Sequence, residues 1–176
     1  IPIDYNYIED QTKRGLTGAW NDGIKKAVKE KFDKIIMISD DLIFNKSINY
    51  LIDEIKSDDA IYGGTSVPGG VLGNGPQVRN EPVDDIIDVS GECEPDKLPS
   101  RGHLLNGFLF AFTDKFYEKY KRDDDNLLST EKKHMWGGQE CELQIRLWPE
   151  GVKSYVVGKC WIYHEKYRAW QFHTNM

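Results

Sequence analysis

The apolar run Lys34–Ile38, with the sequence KIIMI, most constrains the fold, because so short an apolar run suits a strand buried on both faces. Helical spacing of apolar residues predicts a helix over residues 17–30, directly before this strand. A second helix is predicted after Ser47, a candidate N-cap, and another strand over Ala60–Tyr62. This alternation predicts an α/β domain with a mixed, mainly parallel sheet flanked by helices.

The second half of the chain begins with a glycine- and proline-rich segment, residues 63–102, which predicts an irregular loop. Leu104–Phe112 then has a strand-like apolar pattern, and a short helix begins at Thr113 or Asp114. A further strand is predicted over Val152–Val157. No repeat or linker divides the 176 residues, so we expect a single domain.

Composition narrows the class of function. The formal net charge of −6 disfavours a nucleic-acid partner and an anionic membrane surface, since both favour a basic face. The three cysteines, Cys93, Cys141 and Cys160, lack the number and spacing of a disulfide framework or a zinc site. We therefore expect a reducing, cytoplasmic setting, and no apolar stretch is long enough to span a bilayer. The acidic run Asp123–Asp125 is interpreted as a solvated loop.

Two adjacent carboxylates, Asp40 and Asp41, follow the strand Lys34–Ile38 after Ser39. In α/β sheets, ligands bind at the carboxyl ends of strands. Neighbouring carboxylates repel each other, and a divalent cation that bridges to phosphate oxygens would relieve that repulsion. A solvated turn is the alternative interpretation of Asp-Asp alone, but the apolar residues on both sides of the pair favour the cation.

The segment Met135–Trp148, MWGGQECELQIRLW, combines two glycines with a helix predicted to follow them. Glu140 lies in the first turn of that helix, where the helix dipole stabilises a carboxylate. The functional alternative is that Glu140 acts as a general base toward an acceptor hydroxyl. Glu142 and Arg146 are four residues apart, which predicts a structural ion pair.

Residues 15–45, GLTGAWNDGIKKAVKEKFDKIIMISDDLIFN, resemble the family 2 glycosyltransferases of GT-A (Rossmann-like) fold. In that family a glycine and an asparagine, here Asn21, open a helix, and the resemblance implies that Asn21 contributes to the nucleotide site. The following strand leads to an acidic metal motif of Asp-x-Asp type, whose first acid is replaced here by Ser39. The resemblance implies that Asp41 binds the metal and that Asp40 contacts the nucleotide or its ribose, or binds the metal through water.

The WGG segment resembles a second feature of GT-A enzymes, WGGEDD in β-1,4-galactosyltransferases and WGGEN in polypeptide N-acetylgalactosaminyltransferases. The matching positions are Trp136, Gly137, Gly138, Glu142 and Arg146. The resemblance implies that Trp136, Gly138 and Gln139 contact the acceptor, although both relatives have Glu in place of Gln139. Glu140 stands where the inverting galactosyltransferases have their catalytic Asp, which implies a catalytic base and inversion. His164 stands at the distance of their metal-binding histidine, and a packed histidine is the alternative.

The two resemblances together imply a metal-dependent, inverting glycosyltransferase that uses Mn²⁺ or Mg²⁺. The donor is a nucleotide-sugar, with a UDP-sugar favoured, and the acceptor is a saccharide or a glycoprotein. Arg14 or Lys13 is a candidate phosphate contact, with a solvated surface as the alternative. Asn106-Gly107 also resembles the Asn-Gly strand that precedes WGG in these enzymes.

Three points stay open at the level of sequence. The family has further strands before the Asn21 helix, so part of the N-terminal nucleotide-binding half is either absent from this chain or abbreviated. A metal-dependent hydrolase or nucleotidyl enzyme would use the same acids and histidine. A non-catalytic carbohydrate-binding module would use the tryptophans without a metal.

Overall fold

The computed structural model describes residues 15–39, 42–67, 77, 83–91, 97, 99, 103–131 and 138–164, and describes Val67 and His164 by their backbone alone. The helices are α1 (Gly15–Lys29), α2 (Ile48–Glu54), α3 (Asp114–Tyr120) and α4 (Gln139–Leu147), and a 3-10 turn (Trp148–Glu150) follows α4. The strands are β1 (Lys34–Ile38), β2 (Leu42–Ile43), β3 (Ala60–Val67), β4 (Ile86–Asp88), β5 (Leu109–Thr113) and β6 (Lys153–His164). They form one domain around a single six-stranded sheet.

The sheet is mixed, which corrects the expectation of a mainly parallel sheet. Its strand order is β1-β5-β3-β6-β2, with β4 paired to β6. Among the described strands only β3 and β6 pair in parallel, and the other four pairings are antiparallel. The expectation was wrong because an apolar run indicates burial of both strand faces but carries no information about direction. In particular, β5 lies between β1 and β3 and runs antiparallel to both.

Helices cover both faces of the sheet and enclose two cores. The helices α1, α3 and α4 contribute to the core on one face, and α2 contributes to the core on the other. Alternate residues of β5 supply both: Phe110 and Phe112 enter the first core, Leu109 and Ala111 the second. None of these four side chains is more than 2% exposed, so β5 is buried on both faces between the two cores.

β3 and β6 are longer than the sequence patterns predict, because their glycines are positions of close packing and not strand ends. β3 continues through Gly63 and Gly64 into the segment predicted to be irregular, and β4 lies inside that same segment. A Cβ at residue 64 would lie 2.6 Å from Cys160 Sγ and 2.9 Å from the Cys160 carbonyl oxygen. Glycine at residue 64 therefore allows β6 to approach β3.

A bulge interrupts the pairing of β3 with β6. Gly64 pairs with Val157, whereas the next residue, Thr65, pairs with Trp161, so residues 158–160 have no partner on β3. The hydroxyl of Thr65 lies 3.2 Å from the carbonyl oxygen of Gly158 and 3.0 Å from that of Cys160. Bulges bend a strand and increase its twist. After the bulge, residues 161–163 of β6 pair with β3 again, and Tyr163 and His164 also pair with β2.

The helix starts confirm one predicted cap and correct another. Thr113 caps α3, since its hydroxyl oxygen accepts a hydrogen bond from Phe116 N at 3.0 Å. Ser47 precedes α2 but makes no side-chain cap bond. Its backbone is helical (φ −66°, ψ −17°) instead of extended as in a capping serine. Its hydroxyl instead donates to the carbonyl of Trp161 at 2.7 Å and accepts from Trp161 N at 2.8 Å.

Candidate active site

Four strand ends meet at one edge of the sheet, which we call the site edge. Here Ile38, the last residue of β1, pairs with Leu109, the first residue of β5. Val67, the last residue of β3, pairs with Tyr163, one residue before the end of β6. The site edge thus combines the C-terminal ends of β1, β3 and β6 with the N-terminal end of β5. Ligands of α/β proteins bind at the carboxyl ends of strands.

Antiparallel pairing of β2 with β6 brings His164, a predicted metal-binding residue, next to Leu42. Leu42 is the Cα partner of His164, and Ile43 is the partner of Tyr163. Asp40 and Asp41 lie outside the described residues, and so does the side chain of His164. The register nevertheless pairs His164 with the residue that follows the two acids, across an interstrand distance of about 5 Å.

Glu140, the predicted base, is half-buried in the first turn of α4 and packs against Gly107. A Cβ at residue 107 would lie 2.9 Å from Glu140 Cδ and 3.0 Å from Oε2, so glycine provides the space for the carboxylate. The carbonyl oxygen of the next residue, Phe108, accepts a hydrogen bond from Ser39 N at 2.9 Å. A short path therefore connects the Glu140 carboxylate to the residue that precedes Asp40.

Gln144, one turn after Glu140 on α4, holds the chain before Gly107 in place. Its Oε1 accepts hydrogen bonds from Leu105 N at 2.7 Å and Ser154 Oγ at 3.1 Å. Its Nε2 donates to the carbonyl oxygens of Leu105 and Glu140, both at 2.9 Å. These four bonds use the full capacity of a side chain that is 6% exposed. Gln144 thereby fixes the Gly107 turn against the first turn of α4.

Gln77 secures the same turn from the opposite side. Its side chain is fully buried and donates to the carbonyl oxygens of Gly64 at 3.0 Å and Leu109 at 3.1 Å. Its Oε1 accepts a hydrogen bond from Asn106 N. Neither glutamine was identified from the sequence. Gln77 has no local signal, whereas Gln144 could be found as a polar residue one helical turn from Glu140 between two core leucines.

Asn21 and Gln139 are buried polar residues with different surroundings. Asn21 Nδ2 donates to the carbonyl of Leu128, and its Oδ1 accepts from Leu128 N, both at 3.0 Å. Both polar atoms of the Asn21 amide thus join α1 to the chain at Leu128, and a role toward a nucleotide stays a prediction. Gln139 is 1% exposed, and in the described part of the chain its Oε1 has no hydrogen-bond partner. Gly138 is the N-cap of α4 with φ 82°, a left-handed conformation that favours glycine.

An ion cluster of Arg122, Glu142 and Arg146 stabilises α4 away from Glu140. Arg146 Nε lies 3.8 Å from Glu142 Oε1, which confirms the predicted pair, and Arg122 Nη2 binds the same oxygen. The guanidinium of Arg146 also donates to the carbonyl oxygens of Tyr120 at 3.2 Å and Leu127 at 3.1 Å. Burial lowers the pKa of Arg146, and the charge of Glu142 opposes that effect. These contacts are structural.

The remaining predicted residues are distributed as follows. Arg14, Lys13 and Trp136 lie outside the described residues. Asp123–Asp125 is exposed, as predicted for a solvated loop. Cys141 and Cys160 carry free thiols, and burial raises the pKa of the Cys160 thiol to about 12, which makes it a poor nucleophile. Among described side chains, no group of three or more His, Cys, Asp or Glu could hold a metal ion.

Comparison of the chain with protein-family models, curated proteins and solved structures finds no match. Within the described ranges, no helix has the length and apolar character needed to cross a membrane. The arguments for a function therefore come from the sequence motifs and from the geometry of the site edge.

Proposed function

We propose that this chain is a metal-dependent, inverting glycosyltransferase domain of GT-A type. It transfers a sugar from a nucleotide-sugar, with a UDP-sugar favoured, to a hydroxyl of a saccharide or glycoprotein acceptor. The pairing of Leu42 with His164 carries the proposal, because it joins two motifs that are more than a hundred residues apart in the sequence. The contact of Glu140 with Gly107 at the same edge supports it.

In the proposed reaction, Glu140 is the general base. Its carboxylate accepts the proton of the acceptor hydroxyl while the hydroxyl oxygen attacks the anomeric carbon of the donor. The bond between that carbon and the diphosphate oxygen breaks in the same step, and the nucleoside diphosphate leaves with the bonding electrons. Attack from the face opposite the leaving group inverts the anomeric configuration. Gln144 supports this step by holding the first turn of α4 against the Gly107 turn.

Asp41 and His164 are the residues that would hold Mn²⁺ or Mg²⁺, with Asp40 toward the nucleotide. A carboxylate oxygen is a preferred ligand of both ions, and imidazole is a common metal ligand. The cross-strand pairing of Leu42 with His164 is compatible with both residues binding one ion. When bound, such an ion neutralises the charge that develops on the leaving diphosphate.

Nucleotide titration tests the donor site. We expect calorimetry to detect binding of one of UDP, GDP and CDP in the presence of Mn²⁺ and no binding in EDTA. Asp41→Ala and His164→Ala should each weaken that binding at least tenfold. Asp53→Ala, an exposed acid on α2, is the matched control and should leave the affinity unchanged. Binding that is equally tight in EDTA would remove the metal from the proposal.

Turnover tests the base. The donor is the sugar derivative of the nucleotide that binds in the titration. With this donor, Glu140→Gln should lower the rate of transfer by about 10²- to 10⁴-fold without weakening nucleotide binding. Glu150→Gln is the control, since Glu150 is exposed beyond the far end of α4. Near-normal transfer by Glu140→Gln would show that Glu140 is not the base. Donor consumption that needs no acceptor would instead favour a hydrolase.

A further inference from the structure

A cavity lies at the opposite end of α4 from Glu140. It has a volume of about 390 Å³ and is lined by Ser90, Gly91, Trp148, Pro149, Gly151, Val152 and Lys153. Trp148 directly follows α4, eight residues after Glu140, which corresponds to about 12 Å along the helix. The cavity is large enough for a small organic ligand and is separate from the site edge.

Trp148 begins a rigid turn, and the N–H group of its indole ring is not used within the described part of the chain. The 3-10 turn that begins at Trp148 contains Pro149, and it closes with a hydrogen bond from Gly151 N to the Trp148 carbonyl at 3.0 Å. Trp148 is half-buried, and in the described part of the chain its indole makes no hydrogen bond or ring contact. The indole N–H is thus an available donor beside an apolar ring face.

The charged residue of the cavity lining is Lys153, which pairs with Asp88 outside the lining. Lys153 Nζ lies 3.5 Å from Asp88 Oδ2, and both side chains are partly exposed, by 47% and 34%. The other carboxylate oxygen, Asp88 Oδ1, accepts hydrogen bonds from Ser90 N, Ser90 Oγ and Gly91 N, which fixes the carboxylate in one orientation. The cavity lining therefore offers the Lys153 ammonium as a donor beside the Trp148 ring, and Asp88, outside the lining, offsets the charge of Lys153.

We propose that this cavity binds a saccharide, with one sugar ring stacked on Trp148 and its hydroxyl groups bound by Lys153. A pyranose has an apolar C–H face and a rim of hydroxyl groups that both donate and accept, and this cavity offers both kinds of surface. A simple anion is disfavoured because Asp88 offsets the charge of Lys153. An aliphatic ligand is disfavoured because it would remove water from the Lys153 ammonium without giving it a new hydrogen-bond partner. The site binds in the absence of donor and metal, so it is independent of the proposed transfer reaction.

Nuclear magnetic resonance of the five tryptophan indole N–H groups tests this proposal in the intact chain. The Trp148 signal is assigned by Trp148→Phe, and maltotriose, cellotriose and chitotriose are added separately to about 10 mM, ten times the concentration that half-fills a millimolar site. We expect at least one trisaccharide to shift the Trp148 signal with saturation, in the wild type and equally in Glu140→Gln.

Three variants distinguish the contributions of ring stacking and hydrogen bonding to saccharide binding from a loss of binding caused by unfolding. Because Trp148→Ala has no indole signal at this position, binding to the variants is measured by calorimetry. Trp148→Ala should abolish binding, and Lys153→Ala should weaken it by about tenfold, as expected for loss of one charged hydrogen bond. Lys159→Ala is the matched control because Lys159 has similar exposure, 45%, and lies outside the cavity. No saturable Trp148 shift with any trisaccharide, or equal affinity in Lys153→Ala and Lys159→Ala, would overturn the proposal.

Discussion

Replacement of Gln144 by leucine should destabilise the domain by about 3 kcal/mol. The substitution conserves size but removes the partners of Leu105 N–H and Leu105 C=O, which bind Gln144 at 2.7 and 2.9 Å. A buried backbone group left without a partner costs about 1–3 kcal/mol, so the two together cost about 2–6 kcal/mol. Burying leucine in place of an amide offsets part of this cost. For a chain of this size, 3 kcal/mol corresponds to a fall in Tm of roughly 6–12 °C.

Gln139→Leu is the matched control for Gln144→Leu. Gln139 lies on the same helix and is equally buried, but within the described structure its Oε1 has no hydrogen-bond partner. Removing that oxygen should leave stability within about 1 kcal/mol of the wild type, because a buried acceptor without a partner is itself unfavourable. Both variants are compared by urea denaturation at constant m-value. Equal losses in the two variants would show that burial of the helix face, not the Leu105 hydrogen bonds, determines the effect.

Three further perturbations follow from the same geometry. Gly64→Ala should lower the free energy of unfolding by about 1–3 kcal/mol, because the added methyl group meets the backbone of β6. Gly23→Ala in α1 should raise the free energy of unfolding by about 0.5–1 kcal/mol, because no atom lies within 4 Å of the added methyl group. Urea denaturation tests both. Gly107→Ala should displace the Glu140 carboxylate and reduce kcat about 100-fold with little change in Tm, and an unchanged kcat would contradict the proposed position of the base. Burial alone would raise the pKa of Asp88, but hydrogen bonds from Ser90 and Gly91 and the charge of Lys153 lower it overall. The ionised Asp88 carboxylate therefore stabilises the folded state at neutral pH, and this contribution is lost as the pH falls below the usual value of 3.8. The Tm difference between wild type and Asp88→Asn should accordingly shrink on acidification from pH 7 to pH 3.

Local sequence signals were sufficient to locate most elements of this domain. The run Lys34–Ile38 forms β1 with the predicted bounds, and Thr113 caps α3 as predicted. These features depend on residues within a few positions of one another, so their causes are visible in a short stretch of sequence. Ser47 is the exception, because a distant strand, at Trp161, takes the hydroxyl that a helix start would otherwise use.

The relations between elements could not be predicted from the sequence. Glu140 and Gly107 belong to separately identified motifs, yet only the fold shows that the carboxylate packs on the glycine. The direction of β5 depends on its long-range pairing with β1 and β3, which leaves no mark on its own apolar pattern. Gln77 is the extreme case, since its side chain bonds the carbonyl oxygens of Gly64 in β3 and Leu109 in β5, and nothing in the sequence around it indicates this.

The hydrogen bond from Ser66 N to the carbonyl of Gln77, at 2.9 Å, has a consequence for how this domain can vary. It joins two residues that are separated by ten positions in the sequence, with Ser66 one residue before the end of β3. The entropic cost of closing a flexible loop grows slowly, by about 0.6 kcal/mol for each doubling of length. Insertions between Ser66 and Gln77 would therefore add little to the free-energy cost of forming this hydrogen bond, so the sheet tolerates changes of chain length at this point.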